Sequence, residues 1–224
     1  MADIGTNVAG VRARIADAAE RVGRRPDDVL LVAVTKTVDV VRIREAVGCG
    51  LRVFGENRVQ EARDKVPLVP GVAWHLIGSL QRNKVKEALR LFAMIHSVDS
   101  RALAEEISRR AEGRPNPIDV LIEVNISGET AKHGVEPGEV EDMALGIAGL
   151  PGMRLRGLMG MAPLVDRAEE ARPYFRRLRE LRDRIRDAHP GAGVTELSMG
   201  MTNDFEVAVE EGATMVRVGR ALFA

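Results

Sequence analysis

The sequence has one cysteine, Cys49, among its 224 residues. A single thiol excludes a disulfide within the chain and a metal cluster built from cysteines. Lysine plus arginine and aspartate plus glutamate both total 33, so the formal net charge is zero. A neutral chain argues against a general role on nucleic acid or on a membrane surface, and we expect neither as a partner.

Long apolar runs are also missing. No stretch reaches the roughly 20 residues that a membrane-spanning helix needs. Residues 1–24 are amphipathic in a helical pattern, whereas a signal peptide has an apolar centre. We therefore expect a cytoplasmic protein. The hydrophobic fraction of 45% is enough for one sizeable core.

Signatures of common catalytic and nucleotide sites are absent as well. The sequence shows no metal-ligand spacing, no ordered Ser-His-Asp set, no G-x-G-x-x-G motif and no Walker-type loop. Arginines cluster in residues 173–190, but acids interleave with them at helical spacing, which is typical of a solvated helix face. Function has to be sought in the short apolar segments and the polar residues at their ends.

Short apolar segments alternate with amphipathic ones from residue 30 to the end. Before them, apolar residues at helical spacing predict a helix over 4–22 that ends near Gly23. Eight strands are then predicted, at 30–35, 51–55, 73–77, 93–98, 118–124, 154–160, 195–198 and 213–218. Helices are predicted between them, at 39–47, 57–65, 81–91, 101–112, 137–149, 167–188 and 203–211.

Eight strand–helix units imply parallel pairing with right-handed crossovers. An open doubly wound sheet and a closed barrel both have this alternation. Evenly sized units, with no composition break and no long linker, favour the barrel. We predict the α/β class and a single domain, residues 1–224, folded as a (β/α)8 TIM-type barrel with an extra N-terminal helix.

The first predicted strand ends in a lysine. Residues 30–34 form an apolar run typical of a strand buried on both faces, and Thr35, Lys36 and Thr37 follow it. Burial disfavours the charged ammonium, so a lysine at such a strand end can provide a neutral amine for chemistry. It can equally extend to solvent, and the strand pattern alone does not decide between the two.

Other polar residues also concentrate at the strand ends, where a barrel has its active site. They are Glu56, Asn57, Gln60, His75, His96, Asp99, Glu123, Asn125 and Arg217. Structural roles compete with functional ones here. Asp99 and Ser100 fit helix N-caps, and Asn57 fits a cap as well as it fits a site. His75 and His96 lie inside apolar strands and fit hydrogen-bonded core histidines.

Two glycine-containing loops follow the last two strands. Ser198 and Gly200 precede a predicted helix start, and Gly219 comes directly after the eighth strand. Backbone N–H groups at helix starts bind anions, and barrels often hold a phosphate in these two loops. With Lys36 on the same rim, this arrangement suggests an imine with a phosphorylated aldehyde.

Seven segments closely resemble the pyridoxal-phosphate homeostasis protein family. They are "AVTKTVD", "FGENRVQEARDK", "WHLIGSLQRNK", "HSVDS", "VLIEVNISGETAKHGV", "LRGLMGMAP" and "LSMGMTNDFEVAVEEGATMVRVGRALF". They occur in order and cover nearly the whole chain. That family has the fold of the alanine racemase N-terminal domain, a (β/α)8 barrel that carries pyridoxal 5'-phosphate (PLP). The resemblance implies the same fold and cofactor here.

The resemblance also implies roles for individual residues. Lys36 would form the imine with PLP. The phosphate would lie on the last two loops, contacting Ser198, the backbone of Met199 and Gly200, and Gly219 with Arg220. Arg220 departs from the family, which usually has a small hydroxyl residue there. Its amide can still hold phosphate, while its side chain could add a charge-assisted contact or point to solvent.

The resemblance places Arg217 opposite the pyridine nitrogen, with Asn57 near the ring and His75 close behind it. An arginine stays charged, so it disfavours a protonated ring nitrogen and leaves the ring a weaker electron sink. Racemases of this fold add a tyrosine base from a second domain, whereas the one tyrosine here, Tyr174, lies in the predicted helix after strand six.

Three functions are compatible with the sequence. The one we favour is a PLP-binding protein that buffers or delivers PLP and maintains PLP and amino-acid pools, without efficient catalysis. It would be a monomer, with PLP-dependent apoenzymes as candidate recipients. The second is a PLP-dependent, racemase-like enzyme. The third is a barrel for another phosphate ligand, with Lys36 as a plain counter-charge.

Overall fold

The structure is a computed structural model that describes residues 3–129 and 133–224. Its first helix, α1 (Ile4–Glu20), begins after Asp3, whose carboxylate accepts two N–H groups of the first turn. Such a cap satisfies donors that a helix start leaves open. The helix ends shortly before Gly23, close to the predicted end.

Eight strands follow α1. They are β1 (Leu30–Val34), β2 (Val53–Glu56), β3 (Ala73–Leu76), β4 (Met94–Val98), β5 (Ile118–Val124), β6 (Met153–Gly160), β7 (Glu196–Ser198) and β8 (Met215–Val218). The helices between and after them are α2 (Val40–Gly48), α3 (Val59–Lys65), α4 (Val85–Leu91), α5 (Arg101–Ala111), α6 (Val140–Ala148), α7 (Arg172–Ala188), α8 (Phe205–Glu210) and α9 (Arg220–Phe223).

The strands pair in parallel in the order β1 to β8, and β1 pairs with β8 to close the sheet. The closing register places Val32 opposite Arg217 and Ala33 opposite Val218. The predicted α/β class and (β/α)8 TIM-type barrel with an extra N-terminal helix are confirmed. An open sheet is excluded, because it would leave β1 and β8 as unpaired edges.

Helix starts differ most from the prediction. Residues 82–84 form a 3₁₀ turn, so α4 begins only at Val85. Another 3₁₀ turn, at residues 168–171, precedes α7. Ser100 caps α5 as predicted, since its Oγ accepts the N–H of Leu103 at 3.4 Å.

The barrel has two apolar cores. The larger lies between strands and helices and contains the aromatic residues Phe54 and Trp74, whose ring centroids are 5.5 Å apart. The smaller fills the barrel interior, where its members are Val32, Met94, Leu121, Met159 and Met215. Strand side chains alternate between faces, so residues two positions beyond these interior residues face the C-terminal mouth.

Candidate functional site

A layer of polar side chains lies above the apolar interior, at the C-terminal ends of the strands. Its members, hereafter the polar layer, are His75, His96, Glu123, Ser198 and Arg217, and all are buried. Three of them follow an interior apolar residue by two positions on β4, β5 and β8. The strand geometry therefore aims them into the mouth of the barrel.

Four members of the polar layer form a hydrogen-bonded chain. Arg217 Nη1 donates to Ser198 Oγ at 2.6 Å, and Nη2 donates to the Gly160 carbonyl at 3.1 Å. Ser198 Oγ lies 2.9 Å from His96 Nδ1, and His96 Nε2 lies 3.0 Å from His75 Nδ1. Both histidines are thus hydrogen-bonded within the barrel, as their structural interpretation predicts. The predicted contact of His75 with PLP stays a prediction.

Both imidazoles are neutral at neutral pH. Burial lowers the pKa of His75 to about 4. Burial, reinforced by His75 and Arg217, holds the pKa of His96 well below its ordinary value. A neutral imidazole donates from one nitrogen and accepts at the other, so the His75–His96 and His96–Ser198 hydrogen bonds run in the same direction. When His96 donates to Ser198, the Ser198 hydroxyl proton is free for another acceptor.

Arg217 is a buried cation at the centre of this layer. Desolvation lowers the pKa of Arg217 to about 10, against the opposing effect of Glu123 and Asp204, so it stays protonated at neutral pH. Burial raises the pKa of Glu123, and nearby Asp99 raises it further, while Arg217 opposes both. The polar layer therefore holds a fixed positive charge, on Arg217, beside a carboxyl that ionises reluctantly.

Lys36 lies on the rim, two residues after the end of β1. Its side chain is exposed, and its amine contacts no hydrogen-bond or ion-pair partner among the residues described. Of the two possibilities that the strand pattern left open, the structure shows the lysine extending to solvent. An amine without a protein partner is available to react with a ligand.

The loop after β7 packs on the end of β8, because the Arg217 N–H donates to the Gly200 carbonyl at 2.9 Å, and the loop after β8 begins two residues later. Within the described ranges, the N–H groups of Gly200, Gly219 and Arg220 reach no acceptor. Unpaired N–H groups on adjoining loops suit an anion. The Met199 N–H differs, since it donates to the Met215 carbonyl at 3.1 Å and is not free for a phosphate.

The side chains of Arg220 and Asn57 also bear on the predictions. Arg220 is exposed, and its Nη2 lies 3.5 Å from Asn203 Oδ1, so it points outward. The cap alternative for Asn57 is wrong, because α3 begins at Val59 and the cap position is Arg58. Asn57 Oδ1 is instead buried, and no hydrogen-bond partner lies near it in the described part of the chain. A buried acceptor of this kind fits a donor on a ligand.

Known proteins are similar to this chain in sequence over nearly their full length. The profile of the family "Alanine racemase, N-terminal domain" matches residues 7–224. The pyridoxal phosphate homeostasis protein of Aquifex aeolicus is 46% identical over 212 residues, which are 94% of this chain and 92% of that protein. The protein of the same name from Escherichia coli K12 is 40% identical, over 100% of this chain and 97% of its own.

A solved relative extends the comparison to three dimensions. It is PipY of Synechococcus elongatus with PLP bound, which is 36% identical, with a TM-score of 0.86 over 99% of this chain and 100% of that one. The chain belongs to the pyridoxal phosphate homeostasis protein family. The family resemblance deduced from the sequence segments is thereby confirmed.

Two features of this family member were not predicted from its sequence. His96 was named as a polar strand-end residue that also fits the core, but its contact with Ser198 was not predicted. Lys65 was not singled out, although its amine donates to Glu56 Oε1 at 2.7 Å and to the Thr35 carbonyl at 2.8 Å. The sequence signal that could have identified Lys65 was Glu56, since an acid at the end of a buried strand requires a cationic or donor partner.

Among the described residues, no three potential metal ligands cluster, and no helix has the length and apolarity to cross a membrane.

Proposed function

We propose that this chain binds PLP through Lys36 and buffers or delivers it, helping to maintain PLP and amino-acid pools without efficient catalysis of its own. The names of its relatives and the PLP bound to PipY support this proposal. The observation in this chain that carries it is the exposed, unpartnered Lys36 amine on the rim of the barrel mouth.

The residues at the mouth fit PLP. The unpaired N–H groups of Gly200, Gly219 and Arg220 suit its phosphate, and the orphaned Asn57 Oδ1 suits a ring substituent that donates a hydrogen bond. When bound, PLP would supply an aldehyde, which condenses with the Lys36 amine and releases one water. We propose that His75, Ser198 and Arg217 line the same site. We leave Met199 out of the phosphate contacts, because its N–H already donates to the Met215 carbonyl.

Arg217 supports a carrier rather than an enzyme. It stays protonated in its buried position and would face the pyridine nitrogen, where a fixed positive charge disfavours a second one. The ring would then withdraw electrons weakly. Tyr174, the single tyrosine, lies on α7 and packs against the larger core, between strands and helices, rather than at the mouth. It is therefore not placed to provide the base that racemases use.

We further propose that residues 1–224 act as one domain and as a monomer in the cytoplasm, with PLP-dependent apoenzymes as recipients. A chain with one cysteine needs no oxidising compartment to fold, which suits this location. Delivery to an apoenzyme requires that the link to Lys36 be reversible, and the exposure of this amine gives water and acceptor amines access to it.

Visible absorbance of the purified protein with PLP, before and after borohydride reduction, tests the proposal. We expect a yellow protein whose reduced adduct maps to Lys36 by peptide mass analysis. Lys36→Arg keeps the charge but lacks the primary amine, so it should lose the adduct, whereas Lys86→Arg, at an exposed lysine on α4, should keep it. A colourless wild type without an adduct, or an adduct on another lysine, would overturn the assignment.

The same preparation separates a carrier from an enzyme. A carrier should pass PLP to an added apoenzyme and exchange the α-hydrogen of alanine with deuterium from solvent no faster than free PLP does. Exchange that is fast in the wild type and absent in Lys36→Ala would contradict the non-catalytic part of the proposal and support the racemase-like alternative.

A further inference from the structure

The turn that presents Lys36 has an unusual backbone. It comprises residues 35–38 and is closed by the Val38 N–H, which donates to the Thr35 carbonyl at 2.9 Å. Thr37 has a φ of 64°, and no other non-glycine residue in the described ranges has a positive φ. A β-branched residue is disfavoured in this left-handed region and persists there only where the surroundings enforce it.

A buried ion pair lies directly behind this turn. Glu56 at the end of β2 is fully buried, and Lys65 at the end of α3 has a side chain only 14% exposed. The Lys65 amine is 2.7 Å from Glu56 Oε1 and 2.8 Å from the Thr35 carbonyl. Thr35 Oγ1 donates to the same Glu56 oxygen at 2.6 Å. The pair therefore holds both the carbonyl and the side chain of Thr35.

The Thr35 carbonyl belongs to the peptide bond that joins it to Lys36. This oxygen accepts from both the Val38 N–H and the Lys65 amine, so both of its lone pairs are used. The hydrogen bond from a charged amine is the stronger kind. It anchors the turn at the residue before Lys36, while the strained Thr37 lies just after it.

We infer that Lys65, held by Glu56, is a positioning residue that clamps the turn presenting Lys36, and so favours the covalent over the non-covalent attachment of PLP. This inference rests on the proposed function of Lys36. Its physical basis is that the Lys36 amine reaches the bound aldehyde only from a fixed backbone position, which the Thr35 carbonyl defines. The Lys65 amine is itself engaged by two acceptors and is not the reacting group.

Amide hydrogen exchange in the PLP-free protein tests the clamp itself. Lys65→Met removes the hydrogen bond that anchors the Thr35 carbonyl, and the Val38 N–H closes the turn on this same carbonyl. The Val38 N–H should therefore exchange about tenfold faster or more in this variant. Lys86→Met, at an exposed lysine, is the matched control and should leave this exchange unchanged. The double variant Glu56→Gln/Lys65→Met avoids an unpaired buried carboxylate, so it keeps the test available where Lys65→Met alone fails to fold.

Two binding measurements test the consequence. The fraction of PLP trapped on Lys36 by borohydride should fall in both Lys65 variants. The affinity for pyridoxamine 5'-phosphate, which has no aldehyde, should stay within about twofold, because the phosphate loops are untouched. A folded Lys65→Met with unchanged Val38 exchange and unchanged trapping overturns the inference, as does equal loss of both kinds of binding. If the wild type forms no adduct on Lys36, the proposed function fails, while Val38 exchange still decides whether the clamp exists.

Discussion

The two buried histidines predict how stability depends on pH. In the folded protein, burial lowers the pKa of His75 to about 4, whereas an unfolded chain has the ordinary value of 6.5. Between these values the unfolded state binds the proton and the folded state does not. Unfolding is therefore increasingly favoured as pH falls through 6.5, and the loss is complete near pH 4. His96, whose pKa is also lowered, adds to the effect in the same direction.

The size of the effect follows from the two pKa values of His75. A shift from 6.5 to about 4 makes the folded state less stable at low pH by about 3 kcal/mol, at about 1.4 kcal/mol for each unit. Most of this change lies above the folded pKa. Between pH 7 and pH 5, His75 alone should lower the free energy of unfolding by about 2 kcal/mol.

Urea denaturation of wild type and His75→Asn at pH 7 and pH 5 measures this contribution. Asparagine keeps a polar group where His75 Nδ1 contacts His96 but does not titrate. The difference between the two pH dependences reports His75 together with its effect on the pKa of His96. A difference below about 0.5 kcal/mol for His75→Asn would refute the argument that His75 is held neutral by burial.

Three further substitutions have expected outcomes. Gly200→Ala should weaken PLP binding about tenfold or more and lower the free energy of unfolding by about 1–3 kcal/mol, because the φ of Gly200 is 90° and a Cβ there would lie 2.5 Å from Ala208 Cβ. Calorimetric titration measures the binding, and urea denaturation measures the stability. Gly10→Ala is the control, since a Cβ at Gly10 would meet no atom within 4 Å. Arg220→Ser should change PLP affinity less than about threefold, since the guanidinium is exposed and points at a neighbouring loop; a larger loss in the same titration would show that it contacts the ligand. Glu211→Gln should lower the free energy of unfolding by about 2–4 kcal/mol, because this buried carboxylate pairs with three arginines of α7. Urea denaturation measures the change, and an unchanged midpoint of the unfolding transition would show that these ion pairs do not stabilise the fold.

The barrel could be predicted because its signal is local and repeated along the chain. The strand predicted over 118–124 has the same bounds as β5, where seven residues are bordered by polar and turn-forming ones. The start of α4 could not be predicted in the same way. A 3₁₀ turn and a first turn of α-helix place polar and apolar residues with nearly the same spacing, so residues 82–84 look helical in either state.

The site could be predicted as a place but not as a set of contacts. Lys36 and the loops after β7 and β8 were located because parallel strands end at one edge of a barrel. Contacts depend on register and on helix packing, which strand order does not give. The Met199 N–H is used in the sheet because Ser198 pairs with Met215, and Lys65 meets Glu56 only once α3 has packed on β2.

The polar groups at the mouth are either paired with one another or free to contact a ligand. The His75–His96–Ser198–Arg217 chain satisfies its members with one another, and the free groups in the described ranges are an amine, loop N–H groups, an amide oxygen and the Glu123 carboxyl. The amine, the N–H groups and the amide oxygen fit the ligand-binding role that we propose, whereas catalysis on an amino acid also needs a free acid or base placed beside it.

Glu123 is the polar-layer residue that could still serve as such a base. Its carboxyl has no hydrogen-bond partner within the described ranges, and burial raises its pKa, so it can bind or release a proton at a pH above its ordinary range. It lies on β5, four strands from the Lys36 strand in either direction around the closed barrel. We expect this separation to keep it from an amino acid held at Lys36. Glu123→Gln should then leave the α-hydrogen exchange of alanine at the level of free PLP, as in the wild type. An exchange rate that exceeds this level in the wild type and falls in Glu123→Gln would identify Glu123 as a base and the barrel as an enzyme.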